Sequence, residues 1–263
     1  MTDKDMLGTR MKNYEFVETS RKFDPTLPVY ARIDGRSFSN FTKHMSRPYD
    51  VSMSNSMIDT MKYLVDKTNA SIGYTQSDEI SLAWPGSVDH TKLFFDGKVQ
   101  KSCSVLAGMA TAKFISAYIM NFNTVPEGMP HFDCRVFQLP SQTEVANTFL
   151  WRELDARKNA ISMLARHHFS HKLLQGKSGK EMTNMLEGIG VFMDSYPDSF
   201  KRGTWAKRVT YEKMLTSDEY NIFLKQHKIT IDISKPVIRS EVKVIDMPVF
   251  LTVPNREQVI FDV

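Results

Sequence analysis

Two stretches decide how this chain reads: Pro28-Val29-Tyr30-Ala31-Arg32-Ile33-Asp34-Gly35, and then Ile72-Gly73-Tyr74-Thr75-Gln76-Ser77-Asp78-Glu79-Ile80-Ser81-Leu82-Ala83-Trp84. The first reads as a strand over 28–34, with proline at its start, β-formers after it and Gly35 to break it. The second reads as a hairpin, strands 70–75 and 79–84 flanking the polar, turn-prone Gln76, Ser77 and Asp78. Between them Met53, Met57, Met61, Leu64, Val65 and Thr68 recur at three- and four-residue spacing. That predicts a helix over 51–68 whose methionines fill the core. Residues 101–122 predict a second helix, with alanine and glycine on a face that allows close approach. A fourth strand over 131–139 alternates Phe132, Cys134 and Val136 with polar neighbours, and Pro140 ends it. The order β-α-β-β-α-β is the split βαβ of ferredoxin-like folds, so the class is α+β.

Working outward, residues 143–171 predict a further long helix and 180–186 a shorter one. A basic segment surrounds Lys201. The tail, 229–263, is rich in β-branched residues and predicts strands with turns at Pro236 and Pro254. The chain has 263 residues, 41% hydrophobic and 24% charged, which suits a globular protein with a full core. No apolar run approaches the ~18 residues of a membrane span, and the charged N-terminus lacks a secretory core. The expectation is a cytoplasmic protein with no membrane partner. Two cysteines, Cys103 and Cys134, are too few for a disulfide framework and are read as reduced thiols. A net charge of +4 points only weakly to polyanions. Local clusters say more: Lys201, Arg202, Lys207 and Arg208, and then Arg166, His167, His168, His171 and Lys172.

Asp34 ends the first strand and Asp78 sits in the hairpin. In a ferredoxin-like sheet these strands can be neighbours, bringing the two carboxylates together at one edge. Two such groups repel unless a cation neutralises them. Hard oxygen ligands suit Mg²⁺ together with phosphate oxygens, the layout of two-metal phosphoryl transfer. The carbonyl of Gly35 is a possible third ligand. Glu79, directly after Asp78, would point to the opposite face once the strand begins, as a supporting or conditional ligand. On spacing alone the same residues equally fit a plain turn and a polar hairpin. His167 and His171, at i and i+4 on one helix, have a spacing compatible with zinc but no third ligand, so a surface or RNA-facing role is expected. Trp84, Trp151 and Trp205 have rings that could stack bases, but core or partial burial is expected for the first two.

The segments Arg32-Ile33-Asp34-Gly35-Arg36-Ser37-Phe38 and Tyr74-Thr75-Gln76-Ser77-Asp78-Glu79-Ile80-Ser81 resemble the two signature motifs of the tRNA-His guanylyltransferase family. Further matches follow in order: Phe132 to Phe137 with Pro140, Trp151-Arg152 with Asp155 and Asn159, and Lys201-Arg202-Gly203-Thr204. The likeness spans about three quarters of the chain, from Leu7 to Arg208. It implies a palm-like catalytic domain over 1–140 that adds nucleotides in the 3′-to-5′ direction. A helical and β-rich part over 141–263 would pack on it as one continuous unit.

By the same resemblance, Asp34 and Asp78 hold two Mg²⁺ ions with the Gly35 carbonyl, and Asp34, Asp78 and Glu79 are the catalytic candidates. Asp34, Gly35, Arg36, Ser37, Phe38 and Ser39, with Ser77 and Asp78, would line the nucleotide pocket. Lys98 and Lys101 would hold a triphosphate, and Arg32 and Arg47 match other basic positions near the nucleotides. Arg152, Arg157, Asn159, His168, His171, Lys201 and Arg202 are the tRNA-facing candidates. ATP and GTP are the implied substrates, tRNA the implied partner, and a homotetramer the implied assembly. In the implied mechanism a nucleoside triphosphate activates the tRNA 5′-phosphate. The 3′-hydroxyl of GTP then attacks it, and pyrophosphate is removed from the new end.

Eukaryotic members carry a His-x-Asn-Asn stretch after Trp-Arg. Here those places hold Arg157, Lys158, Asn159 and Ala160. The chain is thus more similar to the guanylyltransferase-like branch typical of bacteria and phages, which implies template-dependent repair of tRNA 5′ ends. The competing readings are untemplated addition to tRNA-His, a palm-fold nucleotide cyclase, and a non-catalytic RNA-binding protein.

Overall fold

The computed structural model describes residues 3–86, 93–228, 230 and 232–261. Helix α1 (Asp3–Thr19) precedes β1 (Val29–Gly35), the short α2 (Phe38–Phe41) and α3 (Val51–Thr68). The hairpin β2 (Ile72–Gln76) and β3 (Glu79–Trp84) leads to α4 (Val99–Phe122) and β4 (Phe132–Gln138). Then come α5 (Gln142–His168), α6 (His171–Leu174), α7 (Gly179–Gly188) and α8 (Asp198–Arg202). The chain ends with β5 (Thr204–Lys213), α9 (Ser217–His227), β6 (Val237–Ile245) and α10 (Arg256–Phe261).

Local chemistry sets the key boundaries. Asp50 caps α3 by accepting from the Met53 amide at 3.0 Å, and Asn69 ends it in the left-handed region. Ser141 caps α5 in the same way through the Glu144 amide at 3.2 Å.

The strands form one sheet in the order β4-β1-β3-β2-β5-β6, with every pair antiparallel. Its first four strands have the 4-1-3-2 order of a ferredoxin-like fold, and β5 and β6 extend one edge. Alternation sends Ala31, Ile33, Ile80 and Leu82 to one face, where Met57, Met61 and Leu64 of α3 and Leu106 and Phe114 of α4 cover them. Tyr30, Tyr74, Ala83 and Trp205 go to the other face, beneath Val145 and Phe149 of α5 and Phe250 and Ile260 of the C-terminal segment. A smaller cluster of Leu164, Leu174 and Leu186 joins the end of α5 to α6 and α7.

Several expectations change. The helix predicted to reach residue 171 stops at His168, and α6 starts at His171. His167 and His171 therefore do not share one continuous helix, and the i, i+4 argument for zinc lapses. The basic segment after Lys201 contains a strand, β5. Among the described residues the tail holds one strand, β6, and the β-branched Val259 and Ile260 lie in helix α10, where Ile260 is buried against α5. Ile229, Ile231, Asp262 and Val263 of that predicted tail lie outside the described residues. Helix α4 is long and apolar enough to cross a membrane by length and composition, against the expectation that no run would be. One side of it, with Leu106, Ala110 and Phe114, is buried against α3 and the sheet.

Candidate active site

The strand register assembles the acidic centre. Asp34 near the end of β1 lies opposite Glu79 on β3 and opposite Asp133 on β4. Directly opposed residues project to the same face, so all three carboxylates share the α5 side of the sheet. Asp78 comes from the turn before β3. Ser77 adopts φ 50° there, and the Asp78 carbonyl accepts from the Gly35 amide at 3.0 Å. That bond ties the hairpin to the end of β1. Gly35 is required by packing: a Cβ there would sit 2.4 Å from the Phe38 ring. Phe38 in turn is wedged among Phe41, Phe114 and Phe132, with ring centroids 5.2, 5.4 and 5.0 Å away.

Burial raises the Asp78 carboxyl above the ordinary range, and the neighbouring Asp34 charge raises it further. Burial and Asp133 likewise raise Asp34, against Arg32, Arg135 and Arg152. Among the described residues neither carboxylate forms an ion pair; Asp78 accepts from the Ser77 hydroxyl at 3.0 Å and from its own backbone amide.

Glu79 is different. It opens β3, so it faces the Asp34 side. Both of its oxygens are held by Arg152, with Nε and Nη2 each at 2.7 Å, and Arg32 approaches to 4.0 Å. Burial still raises its carboxyl despite Arg152. Its carboxylate is committed to guanidinium groups, so it buttresses the site rather than facing it. Arg152, expected to face tRNA, is buried in this pair.

A cleft of about 300 Å³ opens beside Asp78. The expected residues Phe38, Ser39, Ser77 and Asp78 line it, along with Arg47, Tyr49, Asn159 and Phe200. Tyr49 and Phe200 stack with centroids 5.0 Å apart and planes at 23°. Asn159, expected to face tRNA, is in the cleft wall on α5. Tyr49 and Phe200 escaped the sequence reading because the loop before α3 and helix α8 meet only in the folded chain.

Other expected residues lie elsewhere. Arg36 and Ser37 are exposed and do not line the cleft. Lys98 and Lys101 open α4, which starts at the Trp84 end of the hairpin, where Lys98 bridges Lys22. The length of β1, ~20 Å at 3.3 Å per residue, separates that end from Asp34, so neither lysine reaches the cleft. Arg202 bonds the Met247 carbonyl and Asp198, so it faces inward and not toward tRNA. Lys201 pairs with Asp198 at 3.0 Å. Arg157, His168 and His171 are exposed.

The tRNAHis guanylyltransferase family profile matches residues 8–140. A bacterial tRNA(His) guanylyltransferase-like protein solved in complex with ATP matches at TM-score 0.72 and 39% identity, over 76% of this chain and 88% of that one. One solved in complex with GTP matches at TM-score 0.72 and 33% identity, over 94% of each chain. The tRNA(His) guanylyltransferase of Schizosaccharomyces pombe is 22% identical over 82% of this chain and 87% of its own. The profile spans half of the chain, and the relative solved with GTP covers 94% of it at 33% identity, so this protein belongs to the tRNAHis guanylyltransferase family and is a nucleotidyltransferase.

Proposed function

We propose that this chain adds nucleotides 3′-to-5′ to the 5′ end of tRNA, as a Mg²⁺-dependent and template-directed repair enzyme using ATP and GTP. The observation that carries the reading is the convergence of Asp34 and Asp78, unpaired and charge-disfavoured, at the edge of a cleft of nucleotide size. Two hard carboxylates that form no ion pair among the described residues, beside a Gly35 backbone that tolerates no side chain, fit a divalent metal site. When bound there, Mg²⁺ supplies charge neutralisation on phosphoryl oxygens and a lowered pKa for the attacking hydroxyl.

The protein's own groups do the rest. Arg47 brings a guanidinium to the cleft, suited to phosphate oxygens. The Tyr49–Phe200 stack offers an aromatic wall to a base. The Glu79–Arg152 pair fixes the strand ends that carry the carboxylates. Template-directed addition is supported by Arg157-Lys158-Asn159-Ala160 standing where eukaryotic members carry His-x-Asn-Asn.

A cytoplasmic setting is supported by the two free cysteines. Homotetramer assembly is supported by the exposed Leu7, Met11 and Tyr14 on α1 and by Ile119 and Met120 on α4. The test is a gel assay with a 5′-truncated tRNA, Mg²⁺ and each nucleotide in turn. Extension only by the complement of the opposing base is the expected result. Extension by GTP whatever that base would refute templating, and a cyclic product from GTP alone would refute the tRNA reading.

A further inference from the structure

The chain has three tryptophans. Trp84 and Trp205 are 6% and 2% exposed, but Trp151, expected in or near the core, is 54% exposed. Its surroundings are ordered all the same. The Arg152 guanidinium lies 4.6 Å from its ring centroid and that of Arg32 6.0 Å. Arg152 is pinned by its two bonds to Glu79, the register partner of Asp34. Arg32 is two residues before Asp34 and on the same sheet face. The indole therefore stands beside the acidic centre, held by cations that are themselves fixed.

It does not line the cleft. Asp78 does, while Asp34 is surrounded by Arg32, Arg135, Arg152 and Asp133. On this side the surface is open: the side chains of Arg135 and Asp133 are 58% and 51% exposed, and Arg36 is exposed as well. The two carboxylates thus separate the cleft from an open, arginine-rich floor with one large aromatic ring on it. A mononucleotide fits the pocket. The open floor suits the end of a longer chain, because aromatic stacking accepts any base and arginines meet phosphates.

We propose that Trp151 is the stacking platform for the terminal base at the 5′ end of the RNA acceptor, holding that end beside Asp34 while the cleft holds the incoming triphosphate. This rests on the RNA-acceptor reading above. Trp151 is a positioning residue, acting through the placement of the acceptor.

Because the other two indoles are buried away from any ligand, the change in tryptophan fluorescence on RNA binding reports mainly on Trp151. Titration with a 5′-truncated tRNA is expected to quench it. Trp151→Ala is expected to raise the KM for tRNA roughly 10- to 100-fold, the usual worth of one base stack. Its kcat and its KM for the nucleotide should stay within about twofold, since the ring touches neither reacting group. Trp151→Phe, which keeps a ring, should recover most of the loss. An unchanged tRNA KM in Trp151→Ala, or a Phe variant as weak as Ala, overturns the platform. An active wild type without quenching also overturns it and leaves the proposed function standing. A wild type that is quenched by tRNA but extends none would overturn the proposed function and keep the platform.

Discussion

Removing the guanidinium that clamps Glu79 tests the buttress directly. In Arg152→Ala the Glu79 carboxylate loses two 2.7 Å bonds and keeps only Arg32, at 4.0 Å. The side chains of Arg152 and Glu79 are 8% and 7% exposed, so water cannot replace the lost partner without the local structure opening. Breaking such a buried pair from one side costs about 3–5 kcal/mol. For a chain of this size that lowers Tm by roughly 6–20 °C. Replacing both partners by neutral groups of similar volume, Glu79→Gln with Arg152→Met, removes the stranded charge and should recover more than half of the loss.

The pH dependence has a definite sign. Burial already raises the Glu79 carboxyl, and loss of Arg152 raises it further. A carboxyl whose folded pKa is raised contributes stability below its unfolded pKa and loses it as pH rises through the folded value. The gap between wild type and Arg152→Ala should therefore narrow as pH falls toward about 4. Thermal melts of the wild type, Arg152→Ala, the singles Glu79→Gln and Arg152→Met, and the double variant across that range are the assay. A loss under about 1 kcal/mol in Arg152→Ala, or a double variant as unstable as the two singles summed, would refute the buttress.

Two further outcomes are expected. The Asp78 carboxyl is raised by burial and by Asp34, so its charge weakens the metal-free fold as pH rises. Asp78→Asn should melt above the wild type at pH 7 without Mg²⁺ yet lose nucleotidyl transfer, and Mg²⁺ should raise the Tm of the wild type alone; equal stabilisation of both by Mg²⁺ would contradict the site. Gly203 has φ 82°, and a Cβ there would lie 2.6 Å from the Tyr74 ring and 2.7 Å from the Thr75 carbonyl. Gly203→Ala should cost about 2–4 kcal/mol, read as a lower Tm, and an unchanged melt would show that the turn into β5 is slack.

Elements with strong local signals were legible in the sequence. Helix α3 spans the residues its methionine spacing predicts, because that stripe is its buried face and Asp50 and Asn69 close its ends. Strand β3 likewise keeps its predicted bounds, set by a turn on one side and Trp84 on the other. The ribbon β5–β6 was harder. Beyond residue 207 it pairs only with itself, so charged and apolar residues fall on both faces and the alternation is blurred. The pair of aspartates was legible through its motifs, but the partner of Glu79 is 73 residues away and has no local signature. Lys98 and Lys101 had the right charge for a triphosphate. What the sequence concealed was the direction in which α4 leaves the sheet.

Asp34 and Asp78 come from the first strand and the hairpin, whereas the far wall of the cleft comes from α5 and α8, at Ala156, Asn159, Ala160, Ser199 and Phe200. Chemistry and substrate choice are therefore written in separate stretches of the gene. Mutation can recarve the wall while the strand register that aligns the acids stays intact. A nucleotide-sized pocket can in this way change its fit while the acids beside it keep their geometry.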